Sequence, residues 1–110
     1  MARGWTVEVL NAAVEQELDA LPADMRARFA HISELLVEFG LNRVGMPHVR
    51  HLTDPLWEMR LRGRDGISRA LYVAAQGRRV VVVRVFVKKT QATPRREIDL
   101  ALRRAREVLT

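Results

Sequence analysis

Apolar and polar residues alternate near the start of the chain. Trp5, Val7 and Val9 fall on one side and Thr6, Glu8 and Leu10 on the other, which predicts a half-buried first strand. Asn11 is placed to cap a short helix from Ala12 to about Ala20, on which Val14 and Leu18 lie four apart. Pro22 suits the first turn of a second helix, where its missing N–H costs nothing. Met25, Phe29, Ile32, Leu36 and Phe39 then recur at helical spacing, and Gly40 supplies a stop. These elements predict a helical hairpin with an acidic outer face. Leu41 to Pro55 reads as irregular. From Leu56 the period becomes two: Trp57, Met59 and Leu61 alternate with Glu58, Arg60 and Arg62. Gly63-Arg64-Asp65-Gly66 predicts a turn into a strand from Ile67 to Ala75. Gln76-Gly77 opens a second turn, into a strand from Val80 to Val87. That last strand is apolar on both sides for most of its length, the mark of a central strand. Pro94 opens a final helix, with Thr93 as the expected N-cap and Ile98, Ala101, Leu102, Ala105, Val108 and Leu109 as its apolar stripe. The fold expected is α+β, in the order β-α-α-β-β-β-α. It has a small, mostly antiparallel sheet, an N-terminal helical hairpin and a C-terminal helix, in one domain spanning 1–110.

Charge sharpens this outline. The net charge is +6, but residues 1–40 carry three basic and seven acidic side chains, whereas residues 41–83 and 84–110 each carry eight and three. An acidic front and a strongly basic back direct a polyanion to one side of the molecule. Cysteine is absent, which removes disulfides, thiolate zinc sites and cysteine nucleophiles. No apolar run approaches the ~20 residues of a membrane helix, and MARGWTVEVL lacks the apolar core of a signal peptide. The cytoplasm is therefore the expected location, with no membrane partner.

The densest positive charge lies in RVFVKKTQATPRR, Arg84 to Arg96. A β-type run delivers Lys88 and Lys89 into a polar loop that leads to a helix N-terminus, an arrangement suited to a phosphate chain. Arg84, Phe86 and Lys88 share one face of the strand. Arg60 and Arg62 belong to the polar face of the strand from Leu56. Arg95 and Arg96 occupy a first helical turn, where cations oppose the macrodipole. Each choice has a structural counterpart. Glu58 is two residues from Arg60 on one strand face and suits an ion pair, Tyr72 suits a core edge, Phe86 and Trp57 suit the core, and Lys88 and Lys89 suit a charged strand end. His48 and His51 lack companion ligands, so no metal site is expected, and His31 reads as a partly exposed helix residue. With no histidine on the presumed catalytic strands, paired-imidazole catalysis is not expected.

The motifs LWEMR (Leu56 to Arg60), ISRALY (Ile67 to Tyr72) and VFVKKTQATPRREIDLA (Val85 to Ala101) resemble, in this order, those of the RelE/ParE toxin superfamily, and most of all its HigB-like, phage-related branch. The resemblance implies a RelE-like fold and the toxin of a type II toxin–antitoxin system. It implies a metal-independent endoribonuclease that needs no cofactor and cleaves messenger RNA, usually on the ribosome, arresting translation. It also implies a cognate antitoxin partner and contact with operator DNA through the antitoxin complex.

Such a ribonuclease deprotonates a 2′-OH, stabilises a phosphorane and protonates the leaving 5′-oxygen, and the second task often contributes most to the rate. Arg60 and Arg69 suit phosphorane stabilisation, since a guanidinium grips phosphate in bidentate fashion. The resemblance flags Arg69 and favours the lysine pair. Lys88 or Lys89 would bind phosphate or move a proton, and Glu58 is the candidate general base. The expected RNA-binding residues are Arg62, Tyr72, Arg84, Phe86, Arg95 and Arg96, with Tyr72 and Phe86 stacking on bases. Two alternatives stand beside this reading: a ParE-like toxin that inhibits gyrase and cleaves nothing, and a non-catalytic nucleic-acid-binding module.

Overall fold

A computed structural model describes residues 4–89 and 92–109. The elements run β1 (Thr6–Val9), α1 (Ala12–Asp19), α2 (Ala23–Phe39), β2 (Val49–Thr53), β3 (Leu56–Gly63), β4 (Gly66–Ala75), β5 (Arg79–Lys88) and α3 (Arg95–Leu109), with a 3₁₀ turn at Leu41–Arg43. The five strands form one sheet in the order β1-β5-β4-β3-β2. Only the β1–β5 pair is parallel; β2–β3, β3–β4 and β4–β5 are antiparallel. β5 lies inside the sheet with a neighbour on either side, as its two-sided apolar run predicts.

The expected α+β architecture is present, with one addition. The Leu41–Pro55 segment, expected to be irregular, contributes the edge strand β2, whose Arg50 lies opposite Glu58 of β3. Its alternation is hidden because Arg50, His51 and Thr53 are all exposed and only Val49 is fully buried. Asn11 caps α1 as expected, its Oδ1 accepting the Val14 N–H at 3.1 Å. Gly40, at φ +82°, ends α2 and donates its N–H to Leu36 O at 2.8 Å. Phe39, the last residue of α2, leaves the expected stripe and is 47% exposed.

Helices cover both faces of the sheet. On one face α1 and α2 enclose Val14, Met25, Ile32, Leu36, Met59, Leu61, Tyr72, Val80, Val82 and Val85, with Trp57 packed alongside. On the other, α3 brings Ala101 and Ala105 down onto Leu71, Val73, Val81 and Val83. Small residues at that junction let the helix approach the sheet closely. A β-bulge between β4 and β5 pairs Leu71 with Arg84 but Tyr72 with Val82. The extra residue shifts the alternation of β5 by one. Val81 and Val83 therefore share the α3 face with Arg84 and Phe86, whereas Val85 turns to the opposite core. Without this bulge the polar end of β5 would face the wrong layer. Among the described residues, no helix is long and apolar enough to cross a membrane.

Candidate functional site

α3 covers only part of its face. At the end of the sheet beyond it, register alone brings the polar side chains of three strands together. Glu58 is opposite Leu71, Arg60 opposite Arg69, Arg62 opposite Ile67, Arg69 opposite Phe86, and Ile67 opposite Lys88. The result is a basic sheet face bordered by the β5–α3 junction. There Phe86, Lys88, Lys89, Thr93, Arg95 and Arg96 line an open groove of about 620 Å³. Thr90 and Gln91 of the lysine-lysine-threonine signature lie outside the described residues.

Glu58 organises the interior of this face. It is fully buried. Its Oε1 accepts from Arg50 Nε at 2.8 Å and from Arg69 Nη1 at 3.0 Å, while Oε2 accepts the Thr93 hydroxyl at 2.6 Å. With both oxygens engaged and no solvent access, Glu58 is a positioning residue in this arrangement rather than the base expected from sequence. The ion pair anticipated with Arg60 is made instead with Arg50 and Arg69. Thr93 likewise departs from expectation. α3 begins at Arg95, with the Pro94 carbonyl accepting from the N–H groups of Glu97 and Ile98, and the Thr93 side chain bonds β3 instead of capping the helix. It thereby fastens the groove wall to the sheet.

Arg69 is 5% exposed, with its Nε buried and unpartnered. Burial lowers its pKa; Glu58 opposes that shift, and Arg60, Arg50 and Arg62 add to it. It remains a cation at neutral pH but lies beneath the surface, so its field reaches the groove more readily than its donors do. Lys88 is half-buried. Partial burial and the field of Arg69, followed by Arg50 and Arg60, hold its pKa below the usual lysine value, with Glu58 opposing. Lys89 and Arg62 are exposed and Arg60 is half-buried. These four are the solvent-accessible cations of the sheet face itself, with the exposed Arg95 and Arg96 at its border.

Three expected RNA-binding residues are engaged in the framework. Tyr72 is 0% exposed on the α2 side of the sheet, its hydroxyl without a partner and its pKa raised by desolvation. It is a core residue and offers no stacking surface. Phe86 packs in the α3-side core at 8% exposure, with Arg84 over its ring at 5.9 Å, and shows the groove only an edge of its surface. Arg84 is held by Glu97 (2.6 and 3.2 Å) and by Glu17 (2.8 Å); hydrogen bonding to Glu97 is the main cause of its raised pKa. Arg104 joins the same network through Glu17 and the Val83 carbonyl, and Glu17 also accepts the Val85 N–H at 3.1 Å. This network ties α1, β5 and α3 together where β1 no longer pairs with β5, so Arg84 is part of the framework. Arg95 and Arg96 remain at the groove, Arg95 pairing with Asp99 at 3.1 Å. His51 bonds Asp54 at 2.7 Å and packs edge-on against Trp57, away from the groove.

Arg50 and Glu17 were not singled out from sequence, and Thr93 was read there only as a helix cap. Arg50 required knowledge of β2. Thr93 had a signal, since a threonine preceding proline after a basic loop is free to turn its side chain back toward the sheet.

A model of the phage-derived Gp49-like family (DUF891) matches residues 16–106. The chain belongs to that family. No functionally curated protein matches the sequence. Among solved structures, this Gp49-like chain is similar to a free-state, doubly arginine-substituted mutant of the E. coli toxin RelE. The TM-score is 0.62 at 14% identity, covering 93% of this chain and 98% of the other. It is also similar to a chain of the archaeal RelE–RelB complex from Pyrococcus horikoshii OT3. There the TM-score is 0.53 at 16% identity, covering 77% and 96%. At such identities the likeness establishes a shared fold, and chemistry has to be argued from the residues.

Proposed function

We propose that this Gp49-like protein is the toxin of a type II toxin–antitoxin pair, of the HigB-like branch. It is an endoribonuclease that cuts messenger RNA on the ribosome, in the cytoplasm, without a metal cofactor, and so arrests translation. The observation that carries the reading is Lys88. It stands at the rim of an open basic groove, with its pKa depressed by burial and by neighbouring arginines, on a fold shared with RelE toxins. A lysine whose proton is loosely held fits proton transfer at the 2′-OH. The 2′-oxygen attacks the adjacent phosphorus, Lys88 takes the hydroxyl proton, and the bond to the 5′-oxygen breaks; that oxygen takes a proton from solvent water, leaving a cyclic phosphate and a 5′-hydroxyl. Lys89 neutralises the phosphorane, while Glu58 holds Arg69 and Arg50 in place behind it. The face is wide and few of its groups are suited to proton transfer, so alignment of the 2′-OH falls to the ribosome. The antitoxin partner acts by covering this basic face, and operator DNA is reached through the antitoxin complex.

Mapping new 5′ ends across the transcriptome after brief expression tests this, with Lys88→Ala/Lys89→Ala as control. The reading requires cuts confined to translated frames that vanish in the control. Growth arrest without new ends would move the assignment to a ParE-like, gyrase-directed toxin. The sealing of Glu58 favours a second reading, an RNA-binding module that does not cut, and that reading predicts RNA affinity with no new ends at all.

A further inference from the structure

We propose that a second, separate pocket at the β3 edge of the sheet binds a backbone phosphate of the RNA flanking the scissile bond, with Arg28, Arg60 and Arg62 as its cationic donors. This rests on the ribonuclease reading and extends it from one groove to a track. The pocket has a volume of about 80 Å³ and is lined by Arg28, Pro47, His48, Arg60, Arg62 and Ile67. That is well above the ~10–15 Å³ that a single water needs on the same measure. It therefore has room for a phosphate group.

Electrostatics supply the second argument. Among the described residues, seven arginines have an anion or carbonyl partner: Arg26, Arg50, Arg69, Arg79, Arg84, Arg95 and Arg104. Arg28, Arg60 and Arg62 have none there, and no carboxylate lines their pocket. Asp24, one helical turn before Arg28, is turned away and accepts the Arg64 N–H at 2.6 Å. Three guanidiniums around one cavity repel one another until an anion enters, and their planar forks match phosphate oxygens. His48 completes the wall, packed edge-on against His31 of α2 with ring centroids 6.0 Å apart.

Position gives the direction of the track. Ile67 lines this pocket and is the cross-strand partner of Lys88, with Arg62 on its other side. Adjacent strands lie about 4.8 Å apart, so Lys88 on β5 and Arg62 on β3 are separated by roughly 10 Å along the pairing direction. That is a reach of about one or two nucleotides. The RNA backbone thus runs from the β5–α3 groove across β4 to the edge of β3, ending beside α2.

The test uses a fluorescein-labelled single-stranded RNA of about ten nucleotides with 2′-O-methyl riboses, which cannot be cut because the attacking hydroxyl is blocked. Affinity is read by anisotropy between about 50 and 200 mM salt. Arg28→Gln/Arg62→Gln, at two exposed positions with no partner to lose, is expected to weaken binding roughly tenfold. It should also flatten the log–log salt slope by about 0.7 for each phosphate no longer neutralised. Lys88→Ala/Lys89→Ala should weaken binding separately, and the two effects should add. In parallel, inorganic phosphate is titrated while the His48 ring protons are followed by NMR. A His48 response to inorganic phosphate combined with a wild-type salt slope in Arg28→Gln/Arg62→Gln would indicate a site for free phosphate and overturn the proposal. If Lys88→Ala/Lys89→Ala abolishes cellular cuts while the arginine variant binds RNA as wild type does, the subsite fails and the ribonuclease reading stands. If the wild type neither binds nor cuts RNA, both fail.

Discussion

Replacing Glu58 tests the core of the site. In Glu58→Gln the side chain keeps its shape but loses the charge that Arg69 and Arg50 share. Arg50, whose side chain is 41% exposed, can turn to solvent, so its pair contributes at most about 1 kcal/mol. Arg69 cannot follow, because its side chain is 6% exposed and its Nε already lacks a partner. Breaking a buried pair by removing one member costs roughly 3–5 kcal/mol, since the remaining charge is left uncompensated. A chain of this size has about 5–15 kcal/mol of stability in all. Glu58→Gln should therefore lower the urea midpoint by about 2–3 M, at a slope of roughly 1.5 kcal/mol per M. Arg69→Met alone should cost less, because Glu58 keeps Arg50 and Thr93. The decisive variant is Glu58→Met/Arg69→Met, which removes both buried charges and should return to within about 1.5 kcal/mol of wild type. Equilibrium urea unfolding of wild type, Glu58→Met, Arg69→Met and the double variant closes the double-mutant cycle. A double variant as unstable as the sum of the singles would rule out this account of the pair, as would a Glu58→Gln loss under about 0.5 kcal/mol.

Tyr72→Phe removes a buried hydroxyl that has no partner, and should stabilise the protein by about 1 kcal/mol, or roughly 4 °C, leaving RNA cleavage unchanged. The raised Tyr72 pKa has a definite sign. Its contribution to stability is complete below the ordinary phenol value of about 10 and is lost as pH rises above it. As Tyr72 is the one tyrosine of the chain, tyrosinate absorbance should appear only as the fold melts at alkaline pH; a reversible titration near pH 10 in the folded protein would contradict its burial. Glu17→Gln leaves the Val85 N–H, Arg84 and Arg104 without a shared anion and should cost about 2–3 kcal/mol in thermal or urea unfolding; a loss below about 0.5 kcal/mol would show that Glu97 alone suffices.

Most of the fold was legible because its elements obey simple periods. The helical hairpin, the three long strands and the apolar stripe of α3 each repeat at their own spacing over enough residues to be read locally. β2 was not, because an edge strand with one fully buried residue has no alternation to show. The basic face was legible as charge at a strand end, and Arg60, Lys88 and Lys89 are where the sequence puts them. For Tyr72 and Phe86 the sequence offered both a core and an RNA-binding role, and burial selects the core. The role of Arg84 was not legible, since it depends on Glu17, far away in sequence. A cation on a strand looks the same in a sequence whether a carboxylate or solvent lies above it.

Lys88 shows how these levels combine, and it gives the most direct test of mechanism. The bulge near Val83 places Lys88 on the same face as Arg69, and the pairing of Arg69 with Phe86 sets the two cations on adjacent strands. Glu58 prevents Arg69 from turning out to water, so the repulsion felt by Lys88 is fixed in the framework instead of relaxing. A depressed pKa means that neutral amine becomes available at lower pH than for an ordinary lysine near 10.4. If the neutral amine takes the 2′-OH proton, single-turnover cleavage of ribosome-bound message should rise with pH and level off below that value. Lys88→Arg keeps the positive charge but cannot give up a proton in this range. It should lower the rate by about 10²–10⁴, the usual contribution of a positioned base, and abolish the rise. If Lys88 serves only to neutralise phosphate, Lys88→Arg should retain most of the rate and the wild-type pH dependence. That outcome would remove Lys88 from proton transfer while leaving the groove as the RNA site.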